Sequence, residues 1–428
     1  MAGHAFLLSA AHPEIALDSN LLLIVSGRVL IVVDKYPCLS ESFIRNDLAE
    51  LERRGFAVAV VACCPAKHCD TWISSELQAK VLRARECLRT IPPSKRLEPF
   101  INAISDLGVS AAFFDGHMRS LRGTLRTAWT ASAVTPIVAK WSPEWVHAQF
   151  LGIPAVVGDL LARRLGLPFS ISAHARDIFV PTVRLDRLCS RAKFIAACSV
   201  QAQASLIGRL PSHLADRVFY CPHTIGWPPL QRRSSNDCAM PLLFLSVARL
   251  VPKKGLDTVL EALALVREQI DFRFRIVGEG PELHRLQRLA SRLGLDCVEF
   301  NGRASPADVS EHLAEANLFL LGTRTAADGD RDGIPNAVLE AMAARVPVVA
   351  TDGGAISEVL RHRCTGWLSP PDDHRALADC IYEAATHRAL RDEIIEAAWS
   401  EIRRRFPSDN PHLLADRIKC AIIESHQG

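Results

Sequence analysis

Short β-branched runs alternate with longer stretches that repeat apolar residues at helical spacing, and the alternation occurs twice along the chain. A chain so patterned has few options besides parallel sheets covered by helices. The first series predicts strands over residues 29–34, 57–63, 146–150, 169–174, 194–198 and 217–221. Helices at 41–54 and 155–165 lie among them, with a long, mostly helical insertion over 75–140. The second series predicts strands over 242–248, 272–277, 297–300, 318–321 and 347–350. Residues 224–241, polar and broken by prolines, read as a linker. After residue 372 the pattern stays helical, and a terminal helix can cross back onto the first domain. The expected organisation is an extension over 1–27, a first domain over 28–223, the linker, a second domain over 242–405 and a C-terminal helix over 406–428. The fold class is α/β: two Rossmann-like parallel-sheet domains facing a central cleft.

A chain of 428 residues suits two domains rather than one core. Its 49% hydrophobic and 23% charged content is that of a folded protein, and a net charge of +3 points to no nucleic-acid partner. The charge is uneven. Residues 1–228 hold 25 Lys and Arg against 18 Asp and Glu, and the remainder holds 25 against 29. The basic half could rest on an anionic membrane surface, through residues 80–96 with Arg83, Arg85 and Arg89, or 118–129 with Arg119, Arg122 and Arg126 between apolar residues. A solvated helix face is the simpler account of either patch. Thirteen cysteines show no Cys-x-x-Cys pair and no partnered histidine cluster, so neither a zinc site nor a disulfide framework is indicated. A reducing cytoplasm is the expected compartment. The apolar run 21–33 is broken by Ser26, Gly27 and Arg28 and falls short of the ~20 residues that span a bilayer, and residues 1–20 lack a convincing signal peptide.

Open parallel sheets bind ligands beyond the carboxyl ends of their strands. His174, Arg249, Gly278 and Asp332 each follow a predicted strand or the loop after it. Gly333 and Pro335 mark a turn into a helix at Asn336, whose free N–H groups favour an anion. Asp332 and Glu340 are eight positions apart, on the order of 12 Å if the whole span rises as helix, too far for a shared acid/base pair. Such spacing suits a long ligand with a hydroxylated ring at each end and a phosphate between. Arg249 and Lys254 could converge on a diphosphate, although surface pairing explains such cations as readily. Gly278-Glu279-Gly280-Pro281 resembles half a dinucleotide fingerprint, but Leu283 occupies the third glycine position. The glycines let backbone approach a base, or make an ordinary strand-to-helix turn. The acidic run 328–332 could hold a divalent metal beside a nucleotide-sugar, but a solvated loop leading into the helix is the simpler reading. No metal ligand set and no Ser/His/Asp or Cys/His nucleophile stands out.

These residues together resemble glycosyltransferase family four, the retaining nucleotide-sugar enzymes of GT-B architecture, and in particular its colanic acid and exopolysaccharide branch, over roughly residues 28–405. Asp332 and Glu340 fall on the family's Glu-x7-Glu signature, with Asp in place of the first Glu. The resemblance implies that Glu340 holds the ribose hydroxyls and that Asp332 lies against the donor sugar. Arg249 and Lys254 match the diphosphate pair, Gly278 and Glu279 the nucleotide-side turn, and Gly333, Ile334, Pro335 and Asn336 the helix entry. Tyr36-Pro37-Cys38-Leu39-Ser40-Glu41-Ser42-Phe43-Ile44, His147-Ala148-Gln149-Phe150 and the segment from Ala173 through His174 and Asp177 to Phe179 look like first-domain segments of that branch. Ser40, Glu41 and Asp177 are thereby implied on the acceptor side, and His174 as a catalytic residue contacting donor sugar or acceptor. His223-Thr224-Ile225-Gly226 departs from the His-Gly-Val/Ile-Asp of relatives, as a change of hinge.

The resemblance implies a cytoplasmic enzyme at the inner face of the membrane. It would transfer sugar from a UDP- or GDP-linked donor to a polyprenyl-diphosphate-linked saccharide, with retention and without a metal or other cofactor. Two alternatives are a weakened nucleotide-sugar-binding relative serving as a partner subunit, which the Asp at 332 motivates, and a nucleotide-sugar epimerase of similar shape.

Overall fold

The computed structural model describes residues 27–38, 41–64, 81–92, 94, 97–114, 118–225, 240–406 and 413–427. The proposed extension and most of the linker lie outside these residues. Seven strands form the first sheet: β1 (Arg28–Lys35), β2 (Ala57–Cys64), β3 (Val81–Arg83), β4 (Trp145–Gln149), β5 (Phe169–Ala173), β6 (Ile195–Ala197) and β7 (Val218–Tyr220). All pairings are parallel, in the order β3-β2-β1-β4-β5-β6-β7. Six more, β8 (Leu242–Val247), β9 (Phe272–Val277), β10 (Val298–Phe300), β11 (Leu318–Leu321), β12 (Val348–Thr351) and β13 (Trp367–Ser369), make a second parallel sheet in the order β10-β9-β8-β11-β12-β13.

The period of two along β1 shows why its apolar run is continuous. Leu30 and Val32 join one core with Val134, Val138, Val156 and Leu160 from the helices Met118–Trp141 and Ile153–Leu165. Val29, Ile31 and Val33 face the other way, onto Phe43, Ile44, Leu48 and Leu51 of the helix Ser42–Arg53. A strand covered by helices on both faces has no polar side to show. Leu414, Ala415, Ile418 and Ile422 of the terminal helix Leu413–Gln427 complete that second core, and Arg54 pairs with Asp416. The chain thus returns to the first domain, as expected.

Two edge strands differ from the sequence reading. β3 opens the insertion expected to be mostly helical, and β13 extends the second sheet beyond its five expected strands. Each is three residues long, too short for a period to show. β13 is fixed by Trp367, fully buried, whose indole N–H donates to Glu383 at 2.8 Å.

Both sheets reverse strand order at their centre, between β1 and β4 and between β8 and β11. The crevice beyond such a switch point is where open α/β sheets bind ligands. At the second, Gly255 (φ +53) lies so close to Gly322 that a Cβ would stand 1.6 Å from the Gly322 carbonyl oxygen. That approach seats the turn carrying Lys253 and Lys254 against the end of β11.

Candidate active site

The helix Asn336–Ala343 opens after Pro335 with no side-chain cap, leaving its first N–H groups to other partners. Only Asn336 to Glu340 of the nine residues from Asp332 to Glu340 are helical. Asp332 belongs to the preceding turn, so the 12 Å separation computed from helical rise does not hold. Gly354 (φ +75) supports that turn: a Cβ there would lie 2.1 Å from the Asp332 carbonyl oxygen.

Asp332 accepts from Lys254 Nζ at 2.6 Å and pairs with Lys253 Nζ at 3.1 Å. Burial pushes its carboxyl up, but Lys254 and Lys253 together hold it below the usual carboxylate range. The same burial lowers the Lys254 ammonium against the opposing pull of Asp332. Lys253 also donates to Asp330 at 3.0 Å, and Asp330 takes Arg176 from the first domain at 2.5 Å. The acidic run is therefore not the solvated loop expected. Asp330 and Asp332 are sunk in the cleft, where a lone carboxylate is unstable and two lysines and an arginine come to meet them. Among these partners the sequence reading named Lys254 alone; Lys253 and Arg176 gave no signal beyond adjacency to Lys254 and His174.

Glu340, one turn into the helix, faces the first domain. Burial raises its pKa, offset by Arg45 and by the hydroxyl of Ser42, which donates to it. Gly333 packs beside Cys198 and Ala175, and a Cβ there would lie 3.3 Å from the Cys198 sulfur. Ile334 and Pro335 are buried, Ile334 in the second domain's core, so only their backbone faces the turn. Arg249 is exposed at the end of β8, and its charge reaches Glu41 and Lys254. Gly278 has φ +142 and would place a Cβ 1.9 Å from the Ala248 carbonyl, which makes glycine obligatory there. Glu279 pairs with Arg303 at 2.6 Å in a half-exposed bridge.

On the first-domain side, Ser40 lies outside the described residues. Glu41 is pushed up to about 7 by burial and by Asp34, with Arg249 opposing, and its Oε2 is buried without a hydrogen-bond partner. Asp177, raised to about 6 by burial, accepts from the Leu151 N–H at 3.0 Å. A raised carboxyl destabilises the fold at neutral pH: between pH 4.5 and 7 the folded state holds a proton that the unfolded state has lost, so stability falls as pH rises. Glu41→Gln should therefore raise stability at pH 7.5, by on the order of 1–3 kcal/mol, and flatten the decline between pH 5 and 7. Urea unfolding at three pH values checks this; an unchanged slope would remove Glu41 as its source.

His174 is buried at the end of β5. Its Nε2 lies 3.0 Å from Gln149 Oε1, and its Nδ1 3.1 Å from Nε2 of His223. The sequence shows no partnered histidines, yet the fold gathers His174, Cys198 and His223 with ligand atoms within 4.8 Å of one another. Nor is His223 only part of the hinge: its Nδ1 lies 2.9 Å from Asn336 Oδ1, on the helix that carries Glu340. The quoted segments held Gln149 and His223, but nothing in their spacing showed that they meet. His147 is structural, held between Ser170 and Ser172 at 2.8 and 3.0 Å.

Two parallel-sheet domains, each with its strand order reversed at the centre, make a GT-B fold. Residues 229–400 match the family described as glycosyl transferases group 1. The putative colanic acid biosynthesis glycosyltransferase WcaL of Salmonella typhimurium is 29% identical over 375 residues, 82% of this chain and 88% of that one. The amylovoran biosynthesis glycosyltransferase AmsK of Erwinia amylovora is 37% identical over 186 residues, 43% of this chain and 45% of its own. The Anabaena HepE structure in complex with UDP-glucose superposes with a TM-score of 0.67 at 17% identity, covering 92% of this chain and 99% of that one. The chain is thus similar to group 1 glycosyltransferases over most of its length, and residues 229–400 carry the match to that family.

Proposed function

We propose that this protein transfers a sugar, with retention, from a nucleotide-sugar to a lipid-linked saccharide during exopolysaccharide assembly. The observation that carries this reading is the buried Lys253–Lys254 pair, held by Asp332 beside an uncapped helix N-terminus. Two lysines stacked on a carboxylate in a cleft are a preformed seat for a second, stronger anion. A diphosphate whose charge grows as it leaves the sugar would be stabilised by them, by Arg249 and by the helix N–H groups. In this reading Glu340 takes the ribose, Asp332 faces the sugar, and the backbone at Gly278 borders the base. The acceptor oxygen attacks the anomeric carbon on the face the phosphate leaves. The C–O bond to phosphate breaks, and a phosphate oxygen takes the acceptor proton. WcaL and AmsK, named for colanic acid and amylovoran biosynthesis, and HepE, solved with UDP-glucose, support the polysaccharide and the donor class. The test is a thermal-shift panel of UDP, GDP and their sugars followed by transfer to polyprenyl-diphosphate saccharides. Binding without any transfer would point to the partner-subunit reading, and an isomerised donor to an epimerase.

The proposal includes a membrane-facing first domain. Among the described residues no helix is long and apolar enough to cross a membrane, but the helix Leu97–Ala111 is inside out. Leu97, Phe100, Ile101 and Ile104 are all more than half exposed, while Asp106 turns inward to Arg164 at 2.6 Å. The packed neighbouring helix adds exposed Leu121, Leu125 and Trp129, with exposed Arg122 and Arg126 between them. An apolar stripe edged with arginines fits an anionic bilayer surface. The protein should sediment with phosphatidylglycerol vesicles and lose most of that binding when Phe100, Ile101 and Ile104 become Ser. Equal binding by the variant would place the contact elsewhere.

A further inference from the structure

His223 sits at the end of the first domain, its ring stacked on Phe43 at 4.1 Å and 6°. It is the link next to Asn336 in a hydrogen-bonded chain from the first domain's helix Ser42–Arg53 to the helix Asn336–Ala343 of the second. Asp47 Oδ2 accepts from Gln149 Nε2 at 3.0 Å, and Asp47 Oδ1 accepts from the Thr224 hydroxyl at 3.2 Å. Gln149 Oε1, His174, His223 and Asn336 follow in line.

We infer that His223 is a positioning residue, which fixes the tautomer and orientation of His174 and ties both to Asn336 at the start of the helix assigned to the donor. The inference rests on the proposed transferase reading for its kinetic consequence, but not for its chemistry.

The proton inventory carries it. A carboxylate only accepts, so Asp47 draws the NH2 end of the Gln149 amide and leaves the amide oxygen for His174. His174 must then carry its proton on Nε2 and present a bare Nδ1. That lone pair needs a donor, and among the described residues its hydrogen-bond partner is His223 Nε2, which must then carry a proton. A neutral His223 so arranged has a bare Nδ1, so the inference requires the Asn336 amide to be flipped from the orientation that sets its Oδ1 at 2.9 Å, turning the NH2 toward the ring. Burial favours the neutral form of both rings; His223 and His147 lower His174 further, while Asn336 and Asp47 partly offset the effect at His223. The space beside them admits about one water, so solvent does not compete for these bonds. The order of the chain has a functional consequence: both His174 nitrogens are taken unless Asn336 and His223 move. A ligand that draws the amide of Asn336 away frees His223 to turn, and with it the Nδ1 lone pair of His174.

Nitrogen-15 NMR of histidine-labelled wild-type protein is the direct test. The expected result is both rings neutral at pH 7.5 with the proton on Nε2; either ring protonated on Nδ1 overturns the inference. Kinetics add a second arm. His223→Leu, which keeps bulk but cannot donate, should lower kcat roughly tenfold or more, as misplaced catalytic groups do, while the nucleotide Kd stays within about threefold, the tolerance of a site that is not itself perturbed. His223→Gln, whose amide N–H can still donate to His174, should recover most of that loss. Asn336→Asp should impose the opposite tautomer on His223, draw an extra proton between the rings and move the acid limb of the pH profile upward. Equal kcat in His223→Leu and wild type, or no rescue by Gln, overturns the inference. Should the wild type show no transfer, the proposed function fails, and the NMR result still decides the hydrogen-bond chain on its own.

Discussion

Lys254→Ala is expected to lower transfer turnover by about 10²–10³-fold, the usual cost of removing one preorganised charge from a developing anion. The Lys254 ammonium is buried and held 2.6 Å from Asp332. Burial lowers its pKa and Asp332 opposes that shift, so the pair is a charge balance that a diphosphate would redistribute. The substitution also leaves Asp332 with Lys253 alone, at 3.1 Å. Breaking a buried pair from one side strands the other charge, so the variant should lose stability as well. The sign with pH follows. Asp332 has a depressed pKa, so its pairing stabilises the fold at neutral pH and that contribution is lost as pH falls through the folded pKa; Lys254→Ala should shrink the acid-side loss. Adding Asp332→Asn to Lys254→Ala should restore much of the stability but none of the turnover, which separates the two effects. Lys254→Arg is not a conservative control, because a planar fork does not fit the seat of a point charge. Steady-state kinetics with urea unfolding reads both quantities. Wild-type turnover in Lys254→Ala would mean that the donor diphosphate sits elsewhere.

The architecture was legible because parallel strands buried on both faces must be apolar throughout, as in β1 and β2, and because their helices carry a separate period. Pairing across the cleft was not. Asp330 reads as one more acid in a polar loop until Arg176, 154 positions earlier, is set against it at 2.5 Å. Lys253 and Lys254 are indistinguishable as neighbours in sequence, yet each serves a different set of carboxylates. The meeting of His223 with His174 and Asn336 was hidden for the same reason. Local spacing says where a side chain starts along an element, and only the tertiary fold says which side chain from the other domain it meets. Glu279, a motif position read as donor-binding, pairs with Arg303, another partner that local spacing does not show.

Glu340→Ala is the second large effect expected, and it should appear first in binding. A carboxylate that accepts from two ribose hydroxyls contributes about 1.5–3 kcal/mol per charged hydrogen bond, so nucleotide affinity should fall by roughly 10²-fold or more. Turnover at subsaturating donor falls with it. In the free protein the carboxylate is not idle: the Ser42 hydroxyl donates to it and Arg45 attracts it, both from the first domain, while burial raises its pKa. To hold a ribose it must exchange Ser42 for the sugar hydroxyls, so Ser42 competes with the nucleotide. Ser42→Ala should leave nucleotide affinity equal to or tighter than wild type, the opposite of what a direct ligand contact would give. The raised pKa adds a dependence on pH. Only the ionised carboxylate accepts from both hydroxyls, so as pH falls toward its folded pKa a proton displaces that role and affinity weakens. Glu340→Gln keeps the shape and cannot titrate, and its weak affinity should be flat across the same range. Calorimetric titration of UDP and GDP at several pH values, with the three variants side by side, distinguishes these outcomes. A Glu340→Ala protein that binds both nucleotides like wild type would place the ribose away from this helix, and the competition with Ser42 would then be a contact between domains and nothing more.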